Sequence, residues 1–133
     1  MKISQITVFL ENRAGQLAEI TAELDANDIN MRAINIAETA EYGLARIIAD
    51  DSEKAVQILR DKGFAAMLTD VVAIGVPHRP GGLNDILQII AAAGIDIEYM
   101  YSLIGEQDGI AYMVFRTKDA DMLQKALADK GIF

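Results

Sequence analysis

The chain of 133 residues has no cysteine, a single histidine and few basic residues. Without cysteine there are no disulfides, no thiolate metal ligands and no cysteine nucleophile. One imidazole, His78, cannot build a His-rich metal site. Lys plus Arg number 12 against 20 Asp plus Glu, a net charge of −8. Nucleic-acid binding needs a basic footprint to neutralise phosphates, and an anionic membrane surface attracts the same charges, so neither is an expected partner. Long apolar runs are also lacking: none approaches the roughly 20 residues that span a bilayer. Met1-Lys2 leads straight into Ile3–Val8, without the apolar run and small-residue cleavage site of a secretory signal. The cytoplasm is the expected compartment.

What is there is apolar material and a repeat. Apolar residues make up 52% of the chain, enough for a core and unlike a disordered composition. Shifted by 66 positions, the chain matches itself: Arg13 falls on Arg79, Gly15 on Gly81, Leu17 on Leu83, Ile20 on Ile86, Ile29 on Ile95 and Gly43 on Gly109. Later, Asp61-Lys62-Gly63 matches Asp129-Lys130-Gly131 at a shift of 68. This places a two-residue insertion between Gly109 and Asp129.

Each repeat reads strand, helix, strand, strand, helix, strand. In the first, Ile3–Leu10 puts Ile6, Val8 and Leu10 on one strand face. Leu17, Ile20 and Leu24 then form a helical stripe that ends at Asn27-Asp28. Met31–Ala37 and Leu44–Ala49 are strands joined through Glu41-Tyr42-Gly43. Asp51-Ser52 caps a second helix carrying Val56 and Leu59, which Gly63 stops. Phe64–Thr69 is the fourth strand. In the second repeat, Val71–Val76 is a strand, and Leu83, Ile86, Leu87 and Ile90 stripe a helix. Asp96–Ile104 and Ile110–Arg116 make a hairpin across Gln107-Asp108-Gly109. Met122, Leu123, Ala126 and Leu127 stripe the last helix. Gly131–Phe133 is too short for a strand like Phe64–Thr69, so either the chain continues or the second repeat lacks a full fourth strand. Two βαβ halves joined by a hairpin give an α+β, ferredoxin-like βαββαβ unit, an antiparallel sheet with helices on one face. Residues 1–70 and 71–133 are the expected domains. Apolar residues on both faces of the strands imply that the uncovered faces or edges are buried by the other repeat or by a second subunit, so a homodimer is expected.

The strand-to-helix corners hold the candidate site: Asn12, Arg13, Ala14 and Gly15 in the first repeat, and His78, Arg79, Pro80, Gly81 and Gly82 in the second. Small residues let an anion approach the free amides at a helix start. Asn30 and Asp96, each 15 residues after the glycine, begin the second strands. In this fold they stand at the opposite end of their own sheet, so corner and strand start converge only across an interface with another unit. A zwitterionic amino acid suits such a seam: amides take its carboxylate, while Asn30 or Asp96 takes its ammonium.

The segment Leu10–Leu17 followed by Asp28-Ile29-Asn30, and again Arg79–Leu83 with Gly94–Ile97, resembles the ACT domain signature. The resemblance covers nearly the whole chain. It implies a regulatory βαββαβ module that binds an amino acid between paired domains, with no cofactor. In serine-binding members the turn Asn and the Asn before the second strand contact the ligand, which carries those roles to Asn12 and Asn30. Leu10 stands where such members have a polar residue, often His, which argues against serine itself. Ala14 stands where Pro is usual. His78 and Asp96 replace Asn12 and Asn30 in the second repeat, so the two sites need not be equivalent. The Glu11-Asn12-Arg13 block also resembles small subunits of acetohydroxyacid synthase, which implies a second possibility, a regulatory subunit docked on a separate enzyme.

Each candidate also has a plain structural reading. Gly15 and Gly81 serve tight turns. Asn12 caps an Asx-turn. Arg13, Arg79 and His78 are solvated loop groups, Tyr99 and Tyr101 are packing residues, and Asn30 and Asp96 cap strand entries. No nucleophile–base context, phosphate loop or credible carboxylate pair is present, so no catalysis is expected. The third strands lack the aromatic, basic segments of RNA-recognition motifs.

Overall fold

A computed structural model describes residues 1–11, 13–38 and 42–133. Ten elements follow in chain order: β1 (Lys2–Leu10), α1 (Gln16–Ala26), β2 (Met31–Glu38), β3 (Gly43–Ala49), α2 (Ser52–Asp61), β4 (Ala65–Pro77), α3 (Gly82–Ala92), β5 (Tyr99–Ser102), β6 (Ile110–Arg116) and α4 (Ala120–Ala128). They form two compact units. Ser4–Thr69 is the leading unit; Met1–Ile3 with Asp70–Phe133 is the trailing unit.

In the leading unit the strand order is β2-β3-β1-β4, the ferredoxin-like order. β1 and β3 run antiparallel, with Ile6 facing Ile47, Val8 facing Ala45 and Leu10 facing Gly43. β2 pairs antiparallel with β3, with a register shift between Met31 and Ala33. Alternate residues Ile6 and Val8 turn inward, where Ile20, Leu24, Ile47 and Leu59 close over them. Each such fully buried aliphatic side chain contributes about 1.5–3 kcal/mol.

The stripe expected on α1 is rotated. Ile20 and Leu24 are buried, but Gln16 completes their row at 7% exposure, and Leu17 is left 36% exposed. The i, i+4, i+8 row beginning at the first helical residue faces the sheet, and Leu17 stands about 100° around from it. Met122 on α4 departs in the same way at 47% exposure, while Leu123 and Leu127 are buried.

The trailing unit holds β4 from Asp70 onward, paired antiparallel with β6 (Val72 with Phe115, Ile74 with Met113, Val76 with Ala111), and β6 pairs with β5. Val72, Ile74, Ile86, Ile90, Phe115 and Leu123 centre its core. The lane where a fourth strand of this repeat belongs is taken by the chain's own start. The Met1 amine donates to the Ala73 carbonyl at 2.9 Å, and the Ala73 N–H donates to the Met1 carbonyl at 2.8 Å.

Three expectations shift. The strands expected at Phe64–Thr69 and Val71–Val76 are one strand of 13 residues, β4. The strand expected over Asp96–Ile104 shrinks to Tyr99–Ser102. The two-residue insertion lies earlier than the sequence match put it. Val8 pairs with Ala45 and Ile74 with Met113, so the shift is 74 − 8 = 66 for the first strands but 113 − 45 = 68 for the third. The extra residues therefore sit in the β5–β6 connection, between Ser102 and Ala111. That connection ends in the expected tight hairpin: Asp108 and Gly109 have φ of 53° and 75°, and Gln107 bridges to Ile110. Both central residues at positive φ match the twist of the flanking strands.

Candidate functional site

The leading corner follows Leu10 at the end of β1. Gly15 is the N-cap of α1 with φ 86°, a left-handed conformation that costs glycine little, and among the described residues no side chain caps the helix. α3 begins the same way at Gly81, φ 87°, again uncapped. The other two helices differ. Asp51 accepts from the Lys54 N–H at 3.1 Å to cap α2, and Asp119 accepts from the Met122 N–H at 3.0 Å to cap α4. The first-turn amides of an uncapped helix, with its dipole, favour an anion.

At the leading corner an open pocket of about 230 Å³ is lined by Leu10, Arg13, Gly15, Gln16, Ile36 and Glu38, among others. It suits a ligand smaller than the occupants of pockets of roughly 300–1,000 Å³. Arg13 does not aim a free charge into it. Its Nη1 and Nη2 each donate to Glu19 at 2.9 Å, and its Nε donates to Glu11 at 3.4 Å. The bond from Arg13, before its charge, holds the Glu19 carboxyl below the usual glutamate range. Ala14 is exposed. Asn12 lies outside the described residues, as does Glu41.

At the trailing corner, Arg79 is occupied in the same manner, donating to Asp85 at 3.2 Å and to the Pro80 carbonyl at 3.1 Å. The His78 N–H donates to the Gly109 carbonyl at 2.8 Å, and its ring contacts the Glu106 carboxylate. Gly82 leaves no room for a side chain: a Cβ there would lie 1.9 Å from the Pro77 carbonyl oxygen. A pocket of about 310 Å³ here is lined by Gly75, Pro77, Gly82, Asp85, Ile110 and Phe133, among others.

Asn30 and Asp96 are not brought to these corners within their own units. The Asn30 N–H donates to Asp50 Oδ1 at 3.3 Å, and its carbonyl accepts from the Asp50 N–H at 3.1 Å. Its neighbour Met31 pairs with Ala49, whereas Leu10 and Glu38 both pair with Gly43, at the other end of β3. Asp96 lines a pocket of about 190 Å³ with Ile95, Thr117, Lys118, Asp119 and Met122. That pocket adjoins the Tyr99–Arg116 end of the β5–β6 pair, while Pro77 of the trailing corner pairs with Ile110 at the far end.

Sequence reasoning missed Gln16, Ile36 and Glu38. The usable signal was the repeat itself, which sets Gln16 against Gly82, a bulky amide against no side chain at all. Among the described residues no group of three or more His, Asp or Glu side chains is placed to hold a metal, and no helix is long and apolar enough to cross a membrane.

The family described as the ACT domain pair matches residues 1–132. No curated protein sequence matches the chain. Among solved structures, protein BT0572 from Bacteroides thetaiotaomicron is similar at 39% identity and a TM-score of 0.92, over 99% of this chain and 90% of that one. The ligand-free regulatory subunit of aspartate kinase from Thermus thermophilus shares the fold at 17% identity and a TM-score of 0.64, over 95% of this chain and 91% of that one. The corresponding subunit from Thermus flavus shares it at 17% identity and a TM-score of 0.60, over 97% and 94%. The paired βαββαβ units, the twin glycine corners and the match over 132 positions agree: the chain belongs to the ACT domain pair family.

Proposed function

We propose that the protein is a non-catalytic regulator that binds a small free amino acid at its glycine corners, at a junction between ACT units, and acts in the cytoplasm as a homodimer. One observation carries this reading. Among the described residues, two helices start at left-handed glycines without a side-chain cap, while two others are capped by aspartates. First-turn amides without a side-chain cap thus occur, among the described residues, at the two corners that match the family signature, and each corner adjoins a pocket. The ligand carboxylate takes those amides. Asn12, and Asn30 or Asp96 contributed from the opposite sheet end of a neighbouring ACT unit, take the ammonium. A ligand favours the arrangement it binds best, by its difference in affinity.

The test is a thermal-shift and calorimetric screen of the twenty protein amino acids at millimolar concentration. At least one is expected to raise the melting temperature and give a saturable isotherm; if none does, this reading is wrong. A second reading, a subunit docked on a biosynthetic enzyme, is favoured by the same paired fold spanning 91% of the separate regulatory subunit of Thermus thermophilus aspartate kinase. It predicts an enzyme in stoichiometric co-purification, where the first predicts a lone homodimer on a sizing column.

A further inference from the structure

Gln16 is unusual in three ways. It is buried at 7% exposure in the inner row of α1 with Ile20 and Leu24, and its Oε1 has no hydrogen-bond partner among the described residues. A buried acceptor left unpaired costs about 1–3 kcal/mol, and native proteins satisfy most of them. An apolar side chain of similar shape would avoid that cost. The amide also forms part of the wall of the leading-corner pocket. Finally, the matched position in the other repeat is Gly82, where any Cβ would strike the Pro77 carbonyl oxygen. The two corners therefore cannot present the same chemistry.

The surrounding charges narrow what is missing. Arg13, the cation beside the pocket, is taken up by Glu19 and Glu11. Glu38 lines the same pocket and forms no ion pair among the described residues. Beside the amides at the start of α1, the pocket lining thus carries two groups with acceptor oxygens, the buried Gln16 amide and the exposed Glu38 carboxylate.

We propose that Gln16 is the specificity-determining residue of the leading corner, its Oε1 accepting a hydrogen bond from the ligand's ammonium group. The inference rests on the amino-acid-binding reading above and deepens it. Oε1 itself is buried. A turn about the last side-chain torsion, which is broad and two-fold, presents the oxygen to the pocket. The leading corner then demands a cationic nitrogen beside the carboxylate. The trailing corner, with Gly82 in that place, lacks this acceptor and leaves the ammonium to the strand-start residue of the neighbouring unit alone.

The experiment compares each amino acid that binds with its deaminated carboxylate (alanine against propionate, for example) by calorimetry on the intact chain. Wild-type protein is expected to prefer the amino acid. In Gln16→Met that preference falls about tenfold or more, as expected for loss of a charge-assisted bond. Affinity for the deaminated partner stays within about twofold, because the carboxylate contacts remain. The melting temperature of unliganded Gln16→Met equals or exceeds that of wild type. Gln16→Glu keeps an acceptor and restores the preference. Should Gln16→Met fold poorly, Gln16→Ala reads the same ratio. A variant without the amide that discriminates as wild type does overturns the assignment while leaving amino-acid binding intact. A wild-type chain that binds no amino acid overturns the broader reading, and this one with it.

Discussion

Arg13 and Arg79 occupy matched places in the two repeats, and each reaches an acid six positions on, Glu19 and Asp85. The sequence left them as solvated loop charges or ligand clamps. The structure gives them another task, strapping the corner to the first turn of the helix it opens, and it does so twice. Such exposed pairs contribute little to stability, but they show in titration. The Glu19 pKa is lowered by Arg13, so whatever stability the pair adds is complete above the ordinary glutamate pKa and is lost as pH falls through the lowered value. Carboxyl-detected NMR is expected to find the Glu19 midpoint below those of other exposed glutamates, and Arg13→Ala to return it to the ordinary range. An unmoved midpoint would mean that the strap does not persist in solution. Gln16 shows why a residue at this scale escaped the sequence. Pattern reading assigns polar side chains to the outside and leucines to the inside. A buried amide beside an exposed leucine inverts both assignments at once.

Among elements, the helix starts were the most legible part of the chain. The Asp51-Ser52 cap was readable because a side-chain acceptor before an apolar stripe has one local job. The Asp108-Gly109 hairpin was readable because two positive φ values select those residue types. Asp51→Ala is expected to destabilise the protein by about 1 kcal/mol, measured by denaturant unfolding, since the Lys54 amide loses its acceptor. A similar loss is expected for Asp119→Ala on α4. No effect at either site would remove the contrast between capped and uncapped helices on which the ligand reading stands. The position of the insertion was not legible. Gly43 and Gly109 match as letters, but strand pairing, a non-local property, sets Gly43 opposite Leu10 and Ala111 opposite Val76. The single strand β4 was likewise read as two, because Asp70 resembles a break when its strand neighbours are unknown.

For the whole molecule, the repeat count was visible and its completion was not. Nothing in Gly131–Phe133 announces that the vacant lane beside Ala73 is filled from the other end of the chain. Removing Met1–Ile3 is expected to lower the melting temperature and to strip hydrogen-exchange protection from the Ala73 amide, which donates to Met1. Unchanged protection at Ala73 would show that the pairing is absent in solution.

The bond between Met1 and Ala73 joins residues 72 positions apart. Bringing the ends of a flexible loop of that length together costs roughly 4 kcal/mol in chain entropy. Within Ser4–Thr69, however, Thr7 and Thr69 already lie side by side, their hydroxyls 3.1 Å apart. Once those residues are folded, the remaining tether is Met1–Thr7 together with Thr69–Ala73, far shorter than 72 positions. A lesion that loosens Ser4–Thr69 lengthens that tether again, and its penalty reaches Ala73 without touching any atom there.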